Sequence, residues 1–315
     1  MGRKRKSGKP IHGWVILDKK IGATSTHAVS QLRWLFHARK AGHAGTLDPL
    51  ASGVLPIAFG EATKTIPYIV DGVKHYEFQV QWGGETETDD KETAPIHHSD
   101  KRPTQSEIEA ILPQFQGVIS QIPPSYSAIK IGGERAYDLA RGGQEVELKA
   151  REVEVSVLDI MQHDGETTLF HAECSKGTYI RSLARDMGRL LGCYGHIATL
   201  KRTRVGPFDI SNAISLDFLE NLVHSINQDA EPAERSVILA DYLLPIETAL
   251  DDISALAFEE RQAVRIKNGQ SALIRDKNAP IFAPMAYATH KGQVLAIGSI
   301  DKGSFIPSRV LAYGE

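Results

Sequence analysis

The chain alternates between stretches of period two and stretches of period three to four, with glycine and proline at the joints. Gly13–Leu17 reads as a short strand, closed by a turn over Asp18–Gly22. Thr24, Ser25 or Thr26 offers an N-cap for a helix to about Phe36, with Val29, Leu32 and Leu35/Phe36 on one face. Five glycines or prolines between Gly42 and Pro56 interrupt any period, so 41–60 reads as a loop followed by a buried segment. Alternation returns at Lys74–Trp82, and an acidic loop with Glu85, Glu87, Asp89, Asp90 and Glu92 follows. Pro103 precedes a predicted helix at Thr104–Phe115, whose end Pro113 bends.

Residues 122–150 carry Pro123-Pro124, Gly132-Gly133 and Gly142-Gly143 and show no period. A loop of that length inside a compact domain is usually functional or mobile. Strands are predicted at Glu152–Met161 and Thr167–Ser175, and a helix at Thr178–Leu191. Residues 209–250 are helical in flavour; from about Asp252 the texture turns to short strands punctuated by Gly269, Gly292, Gly298 and Gly303. That change predicts a compact β-rich end domain of roughly 60 residues, small for a domain. Strands and helices mix without regular βαβ alternation, and no internal repeat is evident, which favours an α+β fold.

Composition bounds the picture. With 315 residues, 42% hydrophobic and 24% charged, the chain has material for a sizeable core and for one large domain with a smaller one. Its net charge of −3 argues, taken alone, against a nucleic-acid binder. The charge is segregated, however: residues 1–208 carry 27 basic and 24 acidic side chains, 209–260 carry 1 and 12, and 261–315 carry 8 and 3. Binding surfaces respond to the local field, so the average is the wrong figure. Cys174 and Cys193 make neither a disulfide framework nor a four-ligand zinc site, and read as buried thiols in a reducing compartment. The basic start, Gly2 to Lys6, is followed by an apolar run too short for a signal peptide, and no run could cross a bilayer. A cytoplasmic, soluble protein with a flexible basic tail over 1–10 is expected, the tail being a merely solvated terminus or an arm along a phosphate backbone.

Two clusters could carry chemistry. In Gly42–Gly53, Asp48 stands between a glycine-containing turn and Pro49, which presents one carboxylate on a rigid loop, suited to a nucleophile or general base. On residue pattern alone, a turn aspartate satisfying its own loop is the better reading. In Cys174–Arg181 a strand runs through a turn into a helix on which Arg181, Arg185 and Arg189 share a face. With Lys201, Arg202 and Arg204, against Asp186 alone, they read as a phosphate-binding strip in preference to a solvated helix face. No dinucleotide or P-loop glycine motif is present. His12, His27, His37, His43, His97 and His98 lack metal-site spacing; only His43, on the Asp48 loop, stands out.

These residues also carry a resemblance. Gly42–Lys64 (GHAGTLDPLASGVLPIAFGEATK) resembles the signature of the TruB family of tRNA pseudouridine synthases, which isomerise uridine 55 in the TΨC loop. Asp18-Lys19 with Gly22-Ala23-Thr24-Ser25 resembles the family's first motif; His75-Tyr76 follows in place. Pro123–Lys130 (PPSYSAIK) with Glu134–Gly142 resembles its RNA-clamping thumb, and Cys174–Arg181 (CSKGTYIR) and Leu200–Phe208 (LKRTRVGPF) complete the set. The likeness covers about residues 11–210; from about 252 the chain resembles a PUA-like domain only loosely. It implies a pseudouridine synthase fold with a mixed, mainly antiparallel sheet over 11–250, a thumb at about 122–150 and a PUA-like RNA-binding domain over 251–315.

By position the resemblance makes Asp48 the catalytic aspartate and Tyr76 the aromatic that stacks the flipped uracil. Tyr179 and Leu200 would line the pocket, Arg181 would pair with the aspartate, and His43 would occupy space vacated in the RNA loop. Lys64, Lys130, Arg185 and Arg202 are expected on the RNA backbone. Lys20 departs from the family's usual proline, which predicts a softer turn. Whether the carboxylate attacks C1′ or takes a proton from C2′ is left open. The reaction involves no redox change, so no cofactor or metal is expected; the partner is tRNA, with no membrane, no protein partner and a monomeric state. Two alternatives are a guide-RNA-dependent synthase of the dyskerin type, against which a self-sufficient thumb argues, and a non-catalytic tRNA-folding protein, against which the intact Asp48, Tyr76, Tyr179 and Arg181 set argues. The acidic 209–260 stretch reads as a connector rather than a repulsive wall.

Overall fold

The computed structural model describes residues 8–127, 129–144, 146–275 and 279–313. Its centre is a ten-stranded mixed sheet. Strand Gly13–Lys19 pairs with Ala51–Phe59, which lies parallel to Gly195–Val205; then come Lys74–Trp82, Thr167–Cys174, Arg151–His163 and Gly117–Gln121, all antiparallel. Ile214–Ser215 adds a short parallel edge beside Gly13–Lys19. The fold is therefore α+β with a mainly antiparallel sheet, because only two of these junctions run parallel.

The helices begin and end for local reasons. Thr24 caps Ser25–Leu35 by accepting from His27 N, and Ala28, Leu32 and Leu35 point into the core. Thr104 and Glu107 form a capping box on Gln105–Ile111; Pro113 then turns the chain into a tighter 3-10 segment, Leu112–Phe115. The helix predicted at 178–191 spans Ile180–Leu190, and Gly188 lets it press onto the sheet: a Cβ there would meet Gly195 N at 2.3 Å. One continuous core, from Leu17 and Leu32 through Phe78 and Phe170 to Leu183 and Met187, lies between these helices and the sheet.

Helices Leu216–Ile226 and Pro232–Ile238 arise in the acidic stretch, and Leu219, Val223 and Leu239 join the main core, so this segment is packed into the domain and is more than a connector. Beyond it, Ser254–Ala257, Ala283–His290, Gln293–Asp301, Ser304–Val310 and Ala272–Leu273 form a separate five-stranded sheet, with helix Glu260–Lys267 against it. A shared apolar layer (Trp14, Phe208, Ile246, Leu250, Val294, Ile297, Leu311) fastens the two bodies.

At the other end, residues 1–7 of the expected tail lie outside the described residues. Residues 8–10 do not continue a free arm: Lys9 N donates to His37 O and Lys9 O accepts from Arg39 N, so backbone pairing ties them down. No helix among the described residues is long and apolar enough to cross a membrane.

Candidate active site

Three layers of contacts fix the loop that carries Asp48. The parallel register Leu200↔Ala51 and Arg202↔Gly53 brings its C-terminal end beside the 195–205 strand. The approach is so close that a Cβ on Gly53 would sit 2.2 Å from Arg202 O, and Gly53 has φ +99°, which only glycine adopts at low cost. From below, Arg202, 2% exposed, donates to the carbonyls of Val54, Thr46 and Gly45. From the side, Ser25 Oγ donates to Leu47 O and accepts from Leu47 N, and Gly22 N donates to Pro49 O. Buried Lys19 donates to Ala23 O and Lys20 O, tying the turn that follows it. Burial pushes its ammonium down to about 8, while Asp48 pulls the other way. Lys20 turns its own side chain outward to an exposed ion pair with Asp217, so the turn persists without proline.

Asp48 then opens onto a cavity of about 320 Å³ lined by Tyr76, Tyr179, Arg181, Leu200, Lys74 and Arg151, among others. Arg181 Nε lies 2.9 Å from Asp48 Oδ2; its N–H points off the contact, so this is a charge pair rather than an aligned hydrogen bond. Arg181 is itself held by donating to Thr88 O (2.8 Å) and Tyr126 O (2.9 Å), with Asp90 Oδ2 at 4.0 Å. Burial pushes the Tyr76 phenol up to about 12, so it stays protonated. Leu200, 8% exposed, also lines the cavity, and the Arg151 guanidinium lies 4.9 Å over the Tyr179 ring. An anionic residue beside an apolar and aromatic slot, with cations at its edge, can act on a planar polar ring carried by an anionic chain.

Comparison with known proteins agrees. The model of the TruB family pseudouridylate synthase N-terminal domain matches residues 33–180, and that of the tRNA pseudouridylate synthase B C-terminal domain matches 181–251. The chain is 54% identical over 310 residues to the tRNA pseudouridine synthase B of Rhodopseudomonas palustris, covering 98% of this chain and 83% of that one. To the Brucella ovis protein of the same name it is 53% identical, covering 99% of both. The chain belongs to the TruB family. Among solved structures, that of a Cbf5-Nop10-Gar1 complex superposes with a TM-score of 0.70 at 24% identity, covering 96% of this chain and 87% of that one, a likeness of fold alone.

Of the residues the sequence singled out in this TruB-family chain, Asp48, Tyr76, Tyr179, Arg181 and Leu200 meet at the one cavity. His43 sits a step away, at the end of strand Ala41–His43; burial and Arg202 hold its imidazole below the usual range, so it is uncharged at neutral pH. Lys130 is exposed on the short hairpin Lys130–Ile131/Glu134–Arg135, within the 122–150 segment.

Of the expected phosphate contacts, Arg202 and Arg185 are buried, and Lys64 is part-buried with partners of its own. Arg202 is the clamp just described. Arg185, 7% exposed, pairs with Asp89 and Asp186 and donates to Ile122 O. Lys64 bridges the two bodies through Glu61 and Val310 O. Nor does the 181–189 helix face form an open basic strip: Arg181, Arg185 and Arg189 meet Asp90, Asp89 and Glu85 in turn, Arg189 bidentately at 2.7 and 2.8 Å. Arg181 and Arg185 are buried and are retained because they are paired, whereas Arg189 stays half exposed over buried Glu85. Sequence reasoning missed this partnership, along with Lys74 and Arg151; its signal was the acidic loop, with acids at 85, 89 and 90 set to meet arginines at 181, 185 and 189. Both cysteines are buried free thiols, and burial pushes each up to about 11.

Proposed function

We propose that the protein is a stand-alone tRNA pseudouridine synthase that isomerises uridine 55 of the TΨC loop, with Asp48 as its catalytic residue. The observation that carries this is the Arg181-paired carboxylate of Asp48 at the rim of a cavity walled by Tyr76, Tyr179 and Leu200. A base stacked in a folded loop is out of reach, so it must be turned out into such a slot. The Tyr76 ring offsets the lost stacking, worth about 1–3 kcal/mol per base. Asp48, held beside the Arg181 guanidinium, acts on the ribose, at C1′ by attack or at C2′ by taking a proton. The N1–C1′ bond breaks, the uracil turns, C5 bonds to C1′, and the proton on C5 leaves as N1 takes one up. Atoms are conserved and no electrons are exchanged, so no cofactor is required.

Arg151 and Lys130 serve as contacts to the RNA backbone, and the 122–150 segment closes over the loop. The 251–315 body is a PUA-like RNA-binding domain. The enzyme works as a cytoplasmic monomer. The test is an unmodified tRNA transcript incubated with the purified chain and no guide RNA, followed by chemical detection of pseudouridine. Product at position 55, abolished in Asp48→Asn with tRNA binding intact, is expected. Product only with a guide RNA would favour the dyskerin-type reading, and binding without product would favour a tRNA-folding protein.

A further inference from the structure

The sheet has a second polar centre that the reaction does not use. Lys74–Trp82 and Thr167–Cys174 pair so that His75 faces Glu173 and Glu77 faces His171. Side chains alternate along a strand, so these four project from one face while Tyr76 lies on the other, towards the cavity. His75 Nδ1 lies 3.3 Å, and His171 Nε2 3.5 Å, from the same oxygen, Glu173 Oε1. All three atoms lie within 4.8 Å of one another, and the side chains are each about a quarter exposed.

These separations are long for hydrogen bonds but suit another arrangement. Ligands about 2.0–2.1 Å from a tetrahedral ion stand roughly 3.3 Å apart. Two imidazoles and one carboxylate, converging and leaving the solvent side open, match a borderline cation with three protein ligands and water. We propose that His75, His171 and Glu173 form a site for a single divalent transition-metal ion, zinc by the chemistry of its donors, clipping the two strands together across the sheet from the catalytic cavity. The surrounding charge is mixed. Arg204, opposite His75 on the neighbouring strand, opposes a dication; Asp209 near His75, and Glu77 at the fourth corner, favour it. No spacing along the chain announces the site, because its ligands come from two strands remote in sequence.

The test uses the full-length protein stripped with a chelator and titrated with zinc by calorimetry, with cobalt as an optical probe. Wild type should bind one equivalent, show the visible absorption of low-coordinate cobalt, and gain thermal stability with zinc. His171→Ala and Glu173→Gln should each weaken zinc binding at least about tenfold and lose the cobalt band and the thermal gain. Both should keep the wild-type melting temperature without metal, and His171→Ala should keep full turnover, which separates loss of a ligand from loss of fold. Zinc affinity within about threefold of wild type in either variant, or no stoichiometric binding by wild type, would overturn the proposal.

Discussion

The 45–49 loop and the 122–144 segment both border the cavity, yet they are held in opposite ways. The loop is bonded from several sides, by buried Arg202 beneath, buried Ser25 beside and exposed Gly22 behind. Among the described residues, the segment is hydrogen-bonded to the rest of the molecule only over its first few positions, its root, where Tyr126 meets Arg181 and Glu87. There Gln121 exchanges hydrogen bonds with Tyr179, and Ser182 and Arg185 donate to Ile122 O. Beyond the root it is a two-residue-strand hairpin and the short helix Ala136–Arg141, tied to itself by Ala136 N to Ile129 O and Tyr137 N to Ser127 O. The difference teaches where order is needed before substrate arrives. A reacting carboxylate gains from being placed in advance. A surface that follows an RNA loop gains from few internal commitments.

Experiments can break that comparison, starting with the largest effect. Asp48→Asn should lower turnover by more than about a thousandfold while tRNA affinity changes little; near-normal tritium release from C5-labelled tRNA would remove Asp48 from the chemistry. Arg202→Ala should cost stability and rate together, roughly 3–5 kcal/mol in urea unfolding, because two loop carbonyls and that of Val54 in the strand after it lose a buried cationic donor. An unchanged midpoint would show that the loop holds itself.

Tyr76→Leu should slow turnover by about ten- to a hundredfold through lost stacking, with little change in melting temperature. Lys130→Ala and Arg151→Ala should act on the other side of the comparison: KM rises by about three- to tenfold, the salt slope of tRNA binding falls by about one per cation, and stability stays put. A stability loss as large as that of Arg202→Ala would mean that these cations, too, serve the fold.

The smallest effect is one of pH. Burial lowers both Lys19 and Lys74 from 10.5 to about 8. Between pH 8 and 10.5 the unfolded chain therefore holds more protons on these groups than the folded chain does, so their contribution to stability rises with pH across that window. Comparing Lys19→Met with wild type should isolate one such rise; parallel stability curves from pH 8 to 10.5 would contradict the assignment.

Much of this was legible in the residues. The Lys74–Trp82 strand, the Thr24-capped helix and the change of texture near 252 follow from period and capping, which are local properties. Five of the residues singled out converge at one cavity, because they lie in motifs whose own backbone presents them: a glycine–proline loop, a strand face and a helix start. Charge was read less well. Six cations around 181–204 looked like a phosphate strip, yet Arg181, Arg185 and Arg202 are buried against acids and carbonyls.

The sequence by itself therefore determined the segments and the family and singled out Asp48 as the candidate carboxylate, since these reside in local order along the chain. Only the tertiary structure decided which arginines face solvent and which neutralise Glu85, Asp89 and Asp90. It alone decided that His75, His171 and Glu173 share one point in space. The physical reason is that pairing across strands, and the field felt by a buried charge, depend on distances that chain separation does not encode.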